Sequence, residues 1–178
     1  AEMQKQQALA ETTIQIEQAK IQFEINKMLQ EAKVKKELMA EEFSYNMQLA
    51  QMKALRAYFY WRLLDMFGSV KIVTAPGQTA SQSTPQQVFD FIESELLSSL
   101  GITAVTSSMD LSASSLGSDA NAYKLNRFAA MGILSKLYLN SEAYTGVAKY
   151  QEAHDAADYI IANGPYSLSD SSVSVPNL

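Results

Sequence analysis

Apolar residues recur at helical spacing along the first 67 residues, a stretch that contains neither glycine nor proline. Gln, Glu, Lys, Ala and Met, all good helix formers, dominate it. A narrow stripe with charged flanks suits a coiled coil or a helix that lies on a partner, and the alternative is a solvated helix with a single apolar stripe. An unbroken helix would be roughly 100 Å long, so we expect it to project or to break near residues 41–44. Two polar residues, Gln18 and Lys35, lie along this stripe. Its apolar residues are Ile14, Ile21, Ile25, Met28, Ala32 and Met39.

The next helix has clear start and stop signals. An extended piece, "SVKIVT", and a loop follow Gly68, the first glycine of the chain. Thr84 is a candidate N-cap, Pro85 suits the first helical position, and Gln87 completes a capping box. Apolar residues at helical spacing continue to Leu100, and Gly101 predicts the end of the helix.

Two more helices are predicted after a serine-rich segment, residues 106–118, which we interpret as a surface loop. One runs from Ala120 to Glu142, with small residues that allow close approach of another helix. The other runs from Ala148 to Ala162 and ends at Gly164. The predicted fold class is therefore all-α, with a long N-terminal amphipathic helix and two antiparallel hairpins at about 53–100 and 120–163. In the second hairpin, the spacing of Tyr150, Ala153 and Pro165 is typical of tetratricopeptide repeats.

Four consecutive aromatic residues, Tyr58, Phe59, Tyr60 and Trp61, occupy the C-terminal part of the long helix. Apolar residues all round a helix favour burial between neighbours. A platform that stacks a sugar or a base instead needs aromatic rings on one exposed face, beside polar groups. We expect packing in the core, with Trp61 mostly buried, and keep the ligand platform as the alternative.

The composition of the chain excludes several classes of function and of site. The net charge of -5 argues against a nucleic-acid partner, which needs a basic face. The absence of cysteine excludes disulfides, thiolate metal sites and a cysteine nucleophile, and no lipid-anchor cysteine lies within the chain. No segment approaches the roughly 20 apolar residues of a membrane span, and the N-terminus does not have the apolar core of a signal peptide.

Two clusters of polar residues are candidates for chemistry. His154 lies beside Asp155 and four residues before Asp158, but no further metal ligand is near in sequence, which favours an exposed helix surface. The carboxylates of Asp90, Glu93 and Glu95 share the polar side of a helix, where solvation is the expected state. We therefore predict no enzyme activity, no catalytic or metal-binding residue and no cofactor.

The stretch "ALRAYFYWRLLDMFGSVKIVT" resembles the first signature helix of the SusD/RagB family of Bacteroidetes outer-membrane nutrient-binding lipoproteins. "STPQQVFDFIESELLSSL" is similar to the next helix of that family. "RFAAMGILSKLYLNSEAYTGVAKYQEAHDAADYIIANGPYSLS" is similar to its following hairpin. The resemblance covers about residues 50–170. Lys71 departs from it, because the family usually has proline at that position.

This resemblance implies a non-enzymatic protein that binds glycans or other nutrients at the cell-surface side of the outer membrane. Its expected partners are a TonB-dependent, SusC-like transporter barrel and an oligosaccharide. The family holds its ligand mostly on loops and on a second subdomain, which we expect to follow residue 178, so no glycan-binding residue is assigned. Exposed tyrosine candidates are scattered: Tyr123, Tyr144 and Tyr166. We therefore expect the isolated chain to bind oligosaccharides weakly or not at all.

Residues 1–50 do not resemble that family. Their composition, a common one, is similar to that of long helices in phage structural proteins, notably portal proteins. The predicted domains are a long helix, residues 1–52, forming a coiled coil or a foreign, fused segment, and a partial SusD-like domain, residues 53–178, truncated at its C-terminus. The alternative function is a structural or assembly protein, phage-like or chimeric, that self-associates through residues 1–50.

Overall fold

A computed structural model describes residues 2–119 and 124–167 of the chain. It divides into two compact units, Ala1–Tyr45 and Asn46–Leu178. The domain assignment from the sequence, 1–52 and 53–178, stays a prediction.

The first helix, α1, spans Glu2–Phe67. It does not break at residues 41–44, so that alternative of the sequence analysis is wrong. The physical reason is local: Glu41, Glu42 and Ser44 neither remove a backbone donor nor clash with the preceding turn, as proline does. Residues 2–46 of α1 are exposed, and its buried residues begin at Ala50.

Four more helices follow within the described residues: α2 (Pro85–Leu100), α3 (Arg127–Leu139), α4 (Ser141–Thr145) and α5 (Tyr150–Asn163). The predicted all-α class is confirmed. The extended piece after Gly68 makes one isolated antiparallel bridge, Lys71 with Gln82. The Tyr60 hydroxyl holds this piece, because it accepts a hydrogen bond from the Val73 amide at 2.8 Å.

Helices α1 and α2 form the first hairpin. Their contacts run in opposite directions along the two helices, from Lys53–Ser98 through Arg56–Glu95 to Tyr60–Phe91. The capping box at Thr84 is present, since its side chain accepts from the Gln87 amide while the Gln87 side chain accepts from the Thr84 amide. Gly101 ends α2 in the left-handed region, with φ 74°, which favours glycine.

Helices α3 and α5 form the second hairpin, also antiparallel. The Ser135 hydroxyl donates to the Ala153 carbonyl at 3.0 Å, and the Phe128 and Tyr159 rings stack with centroids 6.2 Å apart. At Gly132, an added Cβ would lie 3.9 Å from Ile160 Cδ1, an ordinary contact distance. The α3–α5 contact at Gly132 therefore has room for alanine as well as glycine.

The third predicted helix, Ala120–Glu142, is shorter in the structure. Residues 120–123 lie outside the described part, and α3 begins only at Arg127, because Asn126 caps it by accepting from the Ala129 amide. At the other end, Asn140 leaves the α-helical region with φ -100° and ψ 9°, and α4 begins as a separate turn. The fourth helix starts at Tyr150 instead of Ala148.

The serine-rich segment 106–118 is a loop, as predicted, but it is not simply a surface loop. Leu111 and Leu116 are fully buried, and Ser114 is buried with them. Arg127 fastens the loop, because its guanidinium donates to the Leu111 carbonyl at 2.6 Å and to the Leu116 carbonyl at 3.2 Å. The segment is therefore packed onto the second hairpin.

Candidate functional site

The aromatic run of α1 divides between a packed face and an exposed face. Tyr60 and Trp61 pack against the core beside the buried Ala57 and Leu64. Phe59 is 57% exposed and Tyr58 is also exposed. The prediction that the whole cluster lies in the core is therefore wrong for Tyr58 and Phe59, because α1 has no neighbour on that side among the described residues. Other exposed apolar residues of this stretch are Leu55, Leu63, Met66 and Phe67.

Trp61 is partly buried and packs against the core, which agrees with the prediction that it is mostly buried. Two cations lie near its ring, Arg62 at 5.5 Å and Lys136 at 5.8 Å from the centroid. Its indole Nε1 is buried near the Tyr144 side chain, but the two do not meet the geometry of a hydrogen bond. Packing against the core and the two nearby cations therefore hold the ring in place.

Of the three tyrosines proposed as exposed candidates, Tyr144 and Tyr166 lie among the described residues and contact different neighbours. Tyr123 lies outside the described residues. Tyr144 is half-buried and donates from its hydroxyl to Asp65 Oδ1 at 2.9 Å. Burial, and then this hydrogen bond to Asp65, raise the pKa of Tyr144 to about 12. Tyr166 is exposed, but its ring packs edge-on against Phe128, with centroids 5.9 Å apart.

The α2 carboxylates are mostly paired, so the expectation of a solvated face is wrong for two of the three. Glu95 receives a hydrogen bond from Arg56 Nε at 2.7 Å, and only 13% of its side chain is exposed. Glu93 pairs with Lys149 at 2.7 Å. Asp90 stays exposed. These carboxylates hold helices together, and this use of their charge does not favour acid–base catalysis.

A cleft of about 440 Å³ lies between the loop after α2 and one side of α5. The loop wall carries Thr106, Ser107 and Asp110, and the helix wall carries Tyr159 and Asn163. A turn closed by the Met109 amide and the Thr106 carbonyl, at 3.2 Å, shapes the loop wall. We refer to this site as the α5 cleft.

Three carboxylates give the α5 cleft a negative character: Asp110, Asp155 and Asp158. The Ser112 amide and hydroxyl donate to Asp110 at 2.8 and 2.9 Å, and these hydrogen bonds, the amide first, hold the pKa of Asp110 below its usual value. His154 lies beside the cleft, with Nδ1 3.3 Å from Asp158 Oδ2 and 3.6 Å from Asp155 Oδ1, and its side chain is 65% exposed. No group of metal-holding side chains is found in the described residues.

Hydroxyl, amide and carboxylate groups beside an aromatic ring suit a neutral polyhydroxylated ligand. Anionic ligands are disfavoured because the three carboxylates repel them. No local sequence pattern reveals this combination. In the sequence, Asp155 and Asp158 stand out only as neighbours of His154, because the loop residues that face them are about 50 positions away.

A comparison of the fold with solved structures finds a likeness to a SusD homolog from Bacteroides thetaiotaomicron VPI-5482, with a TM-score of 0.56 and 26% sequence identity. The helical fragment is SusD-like. The likeness covers 72% of this chain but 24% of the SusD homolog, so the SusD-like fragment corresponds to about a quarter of that protein. No protein-family model and no curated protein sequence matches the chain. None of the described helices is both long enough and apolar enough to span a bilayer.

Proposed function

We propose that the SusD-like fragment is the helical part of a non-enzymatic protein that binds glycans or other nutrients. The observation that carries the proposal is the likeness to the SusD homolog. The paired state of Glu93 and Glu95 also supports a binding protein over an enzyme, since their charges are used in packing. In the parent protein, this fragment acts at the cell-surface side of the outer membrane, with a TonB-dependent, SusC-like transporter barrel as its partner.

The α5 cleft is our candidate for the part of the ligand site that lies on this fragment. It combines Tyr159 with Asn163, Ser107 and Thr106, but it is shallow and has one aromatic ring. A single ring and a few polar groups give little binding energy after the ligand is ordered. We therefore expect neutral oligosaccharides to bind the isolated chain with a dissociation constant weaker than about 100 µM.

Calorimetric titration and ligand-observed NMR, with neutral and uronate-containing oligosaccharides, test this proposal. We expect weak binding of neutral sugars and none of anionic sugars. Asn163→Ala combined with Ser107→Ala should abolish the NMR signal, while Asp90→Asn, on the exposed part of α2, should leave it unchanged. Equal binding of uronates, or no effect of the cleft variant, would remove the α5 cleft from the proposal.

The transporter partnership has a separate test. The full-length parent, carrying an affinity tag, is purified from the outer-membrane fraction, and the co-purified proteins are identified by mass spectrometry. We expect a TonB-dependent barrel in stoichiometric amount. A parent protein that purifies without any such barrel would contradict the nutrient-uptake function.

A second function, assembly through the long helix, is favoured by a different observation. Residues 3–45 carry many exposed large apolar side chains. Exposed apolar surface of this extent is typical of an interaction site.

A further inference from the structure

The N-terminal unit exposes an apolar seam along α1. All residues from 2 to 46 are exposed, and Ile14, Ile21, Met28 and Met39 are each more than half exposed. With Ile25 and Ala32 they occupy the two inward positions of a heptad repeat, and Gln18 and Lys35 fill the remaining two inward positions between residues 14 and 39. Such a seam matches the requirement for two-stranded helix pairing.

We propose that a second copy of this chain covers the seam in an antiparallel coiled coil, with Ile14 opposite Met39 of the partner subunit and Ile25 opposite Met28 of the partner subunit. This inference gives the assembly function its partner and rests on that function. It does not depend on nutrient binding.

The pairing of seam residues favours this register. Ile21 lies opposite Ala32 of the partner subunit, so every apolar seam residue meets an apolar one. The two polar residues meet each other, because Lys35 lies opposite Gln18 of the partner subunit, whose amide oxygen can accept from the ammonium group. Glu11 and Glu42 occupy the next inward positions and mark the two ends of the seam. Glu11 lies opposite Glu42 of the partner subunit in this register, and each would meet its own copy in the parallel pair, so these carboxylates do not distinguish the two directions.

A parallel, in-register pair is less favourable at Lys35. It would place two Lys35 ammonium groups opposite each other in the seam, where they lose part of their hydration. The charges at the exposed edge of the seam favour the parallel pair. In that pair Glu31 would meet Lys36 of the partner subunit, an attractive contact, whereas in the antiparallel pair Glu24 would meet Glu31 of the partner subunit, a repulsive one. Exposed charge pairs contribute little to stability, so the residues of the seam determine the direction of pairing.

The size of the interface is sufficient for a specific but concentration-dependent dimer. Burial of a large aliphatic side chain removes on the order of 100 Å² of apolar surface from water. Five such residues on each helix bury roughly 1,000 Å², which is near the lower limit of specific protein interfaces.

Sedimentation equilibrium over a range of concentrations tests the seam. We expect the full chain to dimerise, and Ile21→Glu combined with Ile25→Glu to raise the dimer dissociation constant at least 100-fold. The matched control is Ile16→Glu combined with Phe23→Glu, which alters exposed apolar residues off the seam and should leave the constant within threefold. If the control disrupts the dimer and the seam variant does not, the proposed surface is wrong.

Disulfide cross-linking tests the direction of pairing, because the chain has no cysteine of its own. Ile14→Cys and Met39→Cys chains are prepared separately and mixed. We expect covalent dimers only in the mixture, since Ile14 faces Met39 of the partner subunit. Covalent dimers in each separate sample would show parallel pairing, which overturns the proposal but leaves the assembly function standing. A chain that stays monomeric at all concentrations overturns both.

Discussion

At the scale of single residues, the two faces of α1 near its C-terminal end carry rings of very different importance for stability. Trp61 is partly buried against the core, whereas Phe59 is 57% exposed. We expect Trp61→Ala to lower the free energy of unfolding by about 2–3 kcal/mol, less than the usual 3–5 for a fully buried ring. Phe59→Ala, the control, should cost about 0.5 kcal/mol or less. Urea denaturation of both variants measures this, and equal losses would contradict the assignment of faces.

Tyr144 should titrate later than an ordinary tyrosine. Burial and the hydrogen bond to Asp65 raise its pKa from the ordinary value of 10.0 to about 12. Because the folded state holds the proton more tightly, this group stabilises the fold fully below pH 10, and the contribution is lost as the pH rises through about 12. An ultraviolet absorbance titration detects a tyrosine hydroxyl that ionises at a higher pH than the others. Asp65→Asn should lower its pKa and Asp90→Asn should not; an unchanged pKa in Asp65→Asn would remove the role of Asp65.

The sequence predicted the composition of the two α1 faces but not which face is covered. Leu55, Tyr58 and Phe59 share one face, and Ala57, Tyr60 and Trp61 share the other, so both faces are apolar. Helical periodicity cannot choose between two apolar faces, since the choice depends on where α2 packs. The α5 cleft could not be predicted from the sequence either, because its two walls are distant in sequence.

At the scale of elements, the start of α2 depends on a capping box. Thr84 and Gln87 each satisfy a backbone amide that has no partner inside the helix. We expect Thr84→Ala to lower the free energy of unfolding by about 1 kcal/mol. Gln86→Ala, one residue before Gln87 and exposed, is the control and should change it by less than about 0.5 kcal/mol. Thermal unfolding followed by circular dichroism distinguishes the two.

The contact between α2 and the start of α5 depends on one ion pair. Lys149 bonds Glu93 at 2.7 Å and lies over the rings of Phe89 and Tyr138. Burial, and then the Glu93 carboxylate, raise the pKa of Tyr138 above its usual range. Lys149→Met leaves the mostly buried Glu93 without its cation, and we expect a loss of about 1–3 kcal/mol.

A double-mutant cycle provides the control for this ion pair. Glu93→Gln in the Lys149→Met background removes the unpaired charge and should recover part of the loss. Additive losses in the two single variants would show that the pair does not couple α2 to α5.

At the scale of the whole molecule, the core belongs to the C-terminal unit. All buried apolar residues of the described part lie at Ala50 or later. A chain that begins at residue 46 should therefore keep its melting temperature within about 2 °C of the full chain. Calorimetry at low concentration measures this, because self-association of the full chain would raise its apparent stability. A large drop in the shortened chain would show that residues 1–45 contribute to the fold.

Much of this architecture could be predicted from the glycines that end helices. Gly68, Gly101 and Gly164 each stand just after a helix: Gly68 lies within the first hairpin, Gly101 follows the first hairpin, and Gly164 follows the second. The separate turn of α4 was not predicted, because Asn140 is compatible with a continuing helix. The packing of residues 106–118 was not predicted either, because Leu111 and Leu116 are isolated among serines and the loop is held by the distant Arg127, through its guanidinium and its backbone amide.

The hydrogen bond between Asp65 and Tyr144 has a consequence for the order of folding. It joins residues 79 positions apart, whereas Arg56 and Glu95 are 39 apart, and Ser135 and Ala153 are 18 apart. Short loops close at lower entropic cost, so each hairpin can form before the two halves meet. On the ribosome, the first hairpin emerges complete while the second is still being synthesised. Docking of Tyr144 onto Asp65 is then a late step, and its loss should speed unfolding more than it slows folding.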